Sequence, residues 1–207
     1  ERLLEYGVDT RFITTQSDST GHAIIAVDTS GENNILLYPG ANHKNTQEAI
    51  GAALSQANAG DWLLMQNETN NQSYAAATAK TLGLSVGYAA APFDAQAVQA
   101  VMGSLDLLIL NAVEAEQLHQ ATGQSPAQLP VRDIIVTLGA EGCLWYGIEG
   151  QQQFEAIAVE PVDTTGAGDA FNGGFAVALF IGIITSVFTA LFVTRLIIQV
   201  WFNWRKP

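Results

Sequence analysis

An α/β fold on a doubly wound, mainly parallel sheet is predicted by three observations. Strand-like and helix-like segments alternate along the chain. The strand-like runs are continuously apolar, as strands buried on both faces must be. Polar and glycine residues follow the strand-like runs directly, where open α/β sheets place their ligands. Taken in order, 23–27 and 34–38 read as β-rich arms flanking Ser30-Gly31-Glu32-Asn33, a hairpin signal. The Ala-rich 46–57 has a helical rhythm, and 62–66, after Gly60-Asp61, is a short buried strand. Residues 70–82 read as a helix with Ala75, Ala76, Ala79 and Leu82 on one side. A strand over 84–90, a helix over 95–102, a strand over 106–110 and a helix over 112–121 ended by Gly123 follow. The body closes with a strand over 134–138 and two antiparallel pieces over 142–146 and 153–159.

The charge is lopsided. All 20 acidic residues lie in 1–174, with only Arg2, Arg11, Lys44, Lys80 and Arg132 to offset them. An acidic body argues against nucleic acid as a partner, because phosphates want Lys and Arg. The single cysteine, Cys143, rules out a disulfide within the chain and fits a reducing compartment, as a small core residue in a strand-like run. His22, His43 and His119 have no metal-ligand spacing and read as surface or strand-end residues. There is no Walker-type lysine motif and no nucleophile elbow.

The densest chemistry lies in Asp163-Thr164-Thr165-Gly166-Ala167-Gly168-Asp169, followed by Ala170-Phe171-Asn172-Gly173-Gly174. Two acids bracket a turn of small residues that runs into a helical pattern. Glycines without Cβ let backbone N–H groups approach an anion, and a helix start aims its dipole at the same place. Asp169, one residue past the cradle, is placed to take a proton from an attacking hydroxyl. That arrangement suits phosphoryl transfer. Two plainer readings stay open: a tight turn, and a helix-start Asp that only complements the dipole.

This segment resembles the C-terminal signature of the ribokinase-like (PfkB) carbohydrate kinases. Upstream, Thr20-Gly21-His22-Ala23-Ile24-Ile25 with Gly31-Glu32-Asn33, Pro39-Gly40-Ala41-Asn42, Leu64-Met65-Gln66-Asn67-Glu68, Asn111-Ala112-Val113-Glu114 and Val136-Thr137-Leu138-Gly139-Ala140-Glu141-Gly142 fall in the family's order. The resemblance implies an ATP-dependent kinase acting on a ribose-like sugar, cytoplasmic, and a homodimer in intact relatives through a hairpin lid like 23–38. It implies Asp169 as catalytic base, with Gly166, Ala167 and Gly168 as the anion hole. Glu68 and Asp169 would contact the sugar, although Asn67 stands where Leu is commoner. Asn111, Thr137, Gly139 and Gly142 would bind the nucleotide. Glu114, with Asn111, would serve Mg²⁺, and Asp163 and Thr165 look like the family's K⁺ position. Asn111 and Glu114, three residues apart, fit a helix capping box equally well. The opening residues, Glu1 to Thr10, look like the middle of a domain, so the resemblance places the family's early glycine-rich sugar motifs upstream of Glu1. Activity of this chain is accordingly expected to be weak or absent.

The tail departs from the pattern. Residues 175–194 carry no charge over 20 positions, roughly the length that spans a bilayer's hydrocarbon core. Arg195, Trp201, Trp204, Arg205 and Lys206 follow, the aromatic and basic signature of a membrane interface. A buried kinase helix is the competing reading, although a core helix rarely runs this long without a polar face. The stretch 175–205 is similar to the last transmembrane helix of the SecD export subunit. The sequence therefore predicts a partial kinase domain over 1–174 joined to a hydrophobic segment over 175–207, with membrane contact through 175–200. With Arg205 and Lys206 inside, a single span would export the body away from ATP.

Overall fold

The computed structural model describes residues 2–5, 7–27 and 33–156. The Asp163–Gly174 signature and the charge-free run 175–194 lie outside the described residues.

A short helix α1 (Arg2–Glu5) precedes an antiparallel hairpin, β1 (His22–Val27) and β2 (Asn33–Tyr38). The hairpin is a sheet of its own. The main sheet contains β3 (Trp62–Gln66), β4 (Ser85–Ala89), β5 (Leu107–Asn111), β6 (Asp133–Thr137), β7 (Cys143–Gly147) and β8 (Gly150–Phe154). Helices α2 (Gln47–Leu54), α3 (Gln72–Thr81), α4 (Ala95–Met102) and α5 (Ala112–Thr122), with short 3-10 turns at Gly40–His43, Pro126–Gln128 and Gly139–Glu141, complete the described elements.

The strand order is β3-β4-β5-β6-β7-β8, parallel from β3 to β6 and antiparallel thereafter. This is the mainly parallel α/β sheet expected. The doubly wound part of the expectation is not met among the described residues. Each crossover advances one strand in the same direction, so no reversal of order arises. Right-handed crossovers advancing one way put their helices on one face, and α3 packs on both α2 and α4, which in turn packs on α5. After β6 the chain turns back through five residues. Only an antiparallel neighbour is reachable by so short a link, because parallel pairing needs a crossover of a dozen residues or more.

The core lies between that helical layer and one sheet face. Met65 pairs in register with Tyr88, Tyr88 with Leu108, Leu108 with Ile134 and Ile134 with Tyr146. One step further along, Leu110 pairs with Val136 and Val136 with Leu144. Onto these fall Leu54, Ala76, Ala79, Val98, Val101, Met102 and Leu118 from the helices. Leu82, expected on the buried side of α3, is exposed. It caps the helix, and Leu84, just before β4, takes the buried position instead. Cys143, expected in the core, is free and half-buried and does not join the core cluster.

The last strand lies earlier than expected, at 150–154 rather than 153–159. Gly147 pairs with Gly150, so the turn is only Ile148-Glu149 and Gln151–Gln153 are drawn into the ladder. Their side chains are exposed, which is why an apolar pattern could not mark them. An edge strand is specified by backbone pairing more than by burial.

One polar cluster braces the bottom of the sheet. The Asp106 carboxylate accepts from the Val86 N–H at 2.8 Å, from Lys80 Nζ at 2.8 and 3.0 Å, and sits 3.9 Å from Arg132. Burial pushes its pKa up, but Lys80, the Val86 N–H and Arg132 outweigh that, and the net shift is downward. Asp106→Ala is expected to cost about 2–3 kcal/mol in urea unfolding at neutral pH, since it strands an N–H and a cation. A lowered carboxylate pKa stabilises the fold above the ordinary carboxylate range and ceases to as pH falls through the folded value. The deficit of the variant should therefore shrink below about pH 4.

Candidate active site

Glu68 lies two residues past β3, and Asn111 and Thr137 are the last residues of β5 and β6, all on the carboxyl edge of the sheet. Strands lie about 4.8 Å apart, so the β3 and β6 ends are separated by roughly 14 Å. The edge thus carries two stations, one beside β3 and one beside β5 and β6.

At the β3 station a cavity of about 340 Å³ lies between the hairpin base and the loop that follows β3. Its lining includes His22, Tyr38, Asn42, His43, Asn67 and Glu68. Glu68 is exposed, and among the described residues its carboxylate has no hydrogen-bond or ion-pair partner. The loop that carries it is held from the core side. Tyr88, fully buried, donates its hydroxyl to Gln72 Oε1 at 2.8 Å, and burial followed by the nearby Asp94 charge pushes its pKa up to about 12. The amide of Gln72 in turn donates to the Thr69 carbonyl at 2.7 Å and to Asn67 Oδ1 at 3.1 Å. Asn67 Nδ2 donates to the Pro92 carbonyl at 2.8 Å. The opposite wall is a close crossing of two segments. Asn42 Oδ1 accepts from the Gly21 N–H at 3.3 Å, and the Ala41 N–H donates to the Ser19 carbonyl at 2.9 Å. A Cβ on Gly21 would meet Asn42 Nδ2 at 2.5 Å and the Pro39 carbonyl at 2.7 Å, so only glycine fits there.

At the second station, Asn111 and Thr137 are register partners at the ends of β5 and β6. The capping box is formed: Asn111 Oδ1 accepts from the Glu114 N–H at 2.8 Å, and Glu114 Oε2 accepts from the Asn111 N–H at 2.7 Å. Burial pushes the Glu114 pKa up, partly countered by that Asn111 N–H. Its second carboxylate oxygen makes no hydrogen bond among the described residues. The Thr137 hydroxyl donates to the Leu110 carbonyl at 3.4 Å. Gly139 and Gly142 frame a 3-10 turn, both at positive φ, with the Leu138 N–H donating to the Gly142 carbonyl at 2.8 Å. No group of three or more His, Cys, Asp or Glu side chains that could hold a metal occurs among the described residues.

Asp163, Thr165, Gly166, Ala167, Gly168 and Asp169 lie outside the described residues. Among those residues, no helix is long and apolar enough to cross a membrane, and the charge-free run 175–194 falls beyond them. Sequence reasoning assigned no role to Asn42, His22, Tyr38 or His43 in the cavity. The signal for Asn42 was present in Pro39-Gly40-Ala41-Asn42, a polar residue just past a positive-φ glycine. The two histidines and Tyr38 reach the cavity only through the hairpin's fold, with the His22 and Tyr38 rings 5.1 Å apart.

A mainly parallel sheet with a polar cavity and a glycine turn along its carboxyl edge defines an α/β ligand-binding enzyme fold. The chain belongs to the pfkB family of carbohydrate kinases, whose family model matches residues 1–182. It is 36% identical over 187 residues to a ribokinase of Haemophilus influenzae, covering 84% of this chain and 60% of that protein. The Thermotoga maritima ribokinase structure superposes with a TM-score of 0.66 at 34% identity, over 79% of this chain and 57% of that one. Arabidopsis thaliana ribokinase, solved with ribose and ATP, gives a TM-score of 0.60 at 27% identity, over 80% of this chain and 58% of that one. The chain thus spans about three-fifths of the length of these relatives.

Proposed function

We propose that the chain derives from, and carries the site of, an ATP-dependent cytoplasmic kinase that phosphorylates a hydroxyl of a ribose-like sugar. The observation that carries this reading is the pair of stations on one sheet edge, with Glu68 and Asn42 at the first and Asn111, Thr137, Gly139 and Gly142 at the second. Sugar binds beside Glu68, whose unpartnered carboxylate accepts hydroxyl hydrogen bonds. Nucleotide lies along the β5–β6 end. Asp169 accepts the proton of the attacking hydroxyl as its oxygen bonds to the γ-phosphorus and the bond to the bridging oxygen of ADP breaks. The N–H groups of Gly166, Ala167 and Gly168 stabilise the transferring phosphoryl group. The free oxygen of Glu114 fits a water-bridged Mg²⁺, which when bound neutralises phosphate charge. Too few protein ligands surround it for an all-protein site, so phosphates would complete the shell. Asp163 and Thr165 are assigned to K⁺.

The charge-free run 175–194 favours a second reading, a non-catalytic, membrane-anchored fusion of a sugar-kinase body. One assay separates the two. ADP release by the purified chain is measured with ATP, Mg²⁺, K⁺ and D-ribose, beside Asp169→Asn. Weak sugar-dependent release that is lost in the variant is expected. Release that is independent of sugar and equal in both proteins would sink the kinase reading. Binding of ribose and ATP with no turnover would favour the second.

A further inference from the structure

Four asparagines link the two walls of the cavity. Asn45 is the hub: its N–H donates to Asn70 Oδ1 at 3.1 Å, and its carbonyl accepts from Asn70 Nδ2 at 2.9 Å and from Asn71 Nδ2 at 2.7 Å. The Asn45 side chain donates to the Asn42 carbonyl at 2.8 Å, and Asn42 reaches the Gly21 N–H with its own amide. Lys44 and Asp18 add an ion pair at 3.3 Å on the same crossing. The chain of bonds therefore runs from the hairpin base at Gly21, through 42–45, to the two residues that end the Glu68 loop.

The cost of this arrangement is visible at Asn71. Its φ is +57°, making it the only non-glycine residue at positive φ among the described residues. It caps α3 without a side-chain cap bond, because its amide is turned to Asn45 instead. Asparagine tolerates this left-handed conformation better than most residues but still at some strain. A residue that forgoes a helix cap and sits strained in order to reach a neighbouring loop is held there by what it joins. All four members are half-buried, where an amide left unmatched is costly.

We infer that Asn45, Asn70 and Asn71 form a positioning clasp that fixes the Glu68 loop against the hairpin base, so that the two walls of the cavity hold one spacing. This rests on the reading of the cavity as the sugar site. The clasp touches the walls and not the nucleotide station, so it acts on sugar affinity alone.

Amide exchange and calorimetry on the full chain test it, with Asn70→Ala and Asn71→Gly as variants. Glycine at 71 relieves the positive φ while removing the bond to Asn45, so it separates the clasp from mere loss of stability. In both variants the Gly21 amide, about fifty residues away along the chain, should exchange roughly tenfold faster than in the parent, a step of 1.4 kcal/mol. D-ribose binding should weaken about tenfold with ATP binding unchanged. Faster exchange confined to Asn45, with Gly21 as in the parent, overturns the clasp. So does equal weakening of ribose and ATP, or no change in either. If the parent binds no ribose, the sugar-site reading fails and the Gly21 exchange alone decides the clasp.

Discussion

Substituting alanine for Gly142 is expected to destabilise the body by about 4 kcal/mol, enough to threaten folding in a domain of marginal stability. Gly142 has φ +89° and ψ −128°, a conformation essentially closed to residues with a side chain. Space is as restrictive as conformation. A Cβ there would collide with the Phe154 carbonyl and lie 2.7 Å from the Ala156 N, where the end of β8 crosses the turn. Those neighbours are backbone, so nothing can swing aside. Forcing them apart pulls β8 from β7 and distorts the turn at the end of β6. Urea unfolding of Gly142→Ala beside Gly139→Ala checks this. Gly139 is also at positive φ but has open space around its Cβ, so its cost should stay near 1 kcal/mol. Equal costs at the two positions would show that conformation alone, and not the crossing strand, makes Gly142 necessary.

Glu68→Gln should leave stability within about 0.5 kcal/mol of the parent, because the exposed carboxylate has no partner among the described residues to lose. Its effect falls on ligand. A hydrogen bond to a charged group contributes about 1.5–3 kcal/mol, so D-ribose affinity should drop roughly 10- to 100-fold. ATP affinity should not change, since the proposed nucleotide station at the β5 and β6 ends lies two to three strands away. Calorimetry with each ligand reads the split. Undiminished ribose binding would place the sugar somewhere other than the cavity between the hairpin and β3.

The order and type of the principal elements were legible along the chain because their causes are local. Apolar runs such as Leu107–Leu110, short and bounded by polar residues, fit buried strands, and alanine at helical spacing in 75–79 lets that side of a helix pack closely. The turn glycines and the polar residues at the strand ends announced the carboxyl edge of the sheet for the same reason. Leu82 and β8 were misplaced where helix termination and backbone pairing, which leave no apolar period, decided. Leu84 took the buried space that periodicity gave to Leu82, and a two-residue turn drew three glutamines into a ladder. His22 and Tyr38 carry no mark in sequence as cavity residues, since only the folding of the hairpin over the β3 end turns them to it.

Periodicity and turn chemistry were thus sufficient for the α/β class, and the ordered motifs for the family. Each depends on interactions within a few residues. The single direction of winding among the described residues, the 340 Å³ cavity and the asparagine network were decided only when segments far apart in the chain met. Asn45 and Asn70 are ordinary polar residues until the fold brings a backbone N–H and carbonyl of one opposite the amide of the other. Hydrogen bonds act over about 3 Å and not along the sequence, so a network of this kind belongs to the tertiary structure.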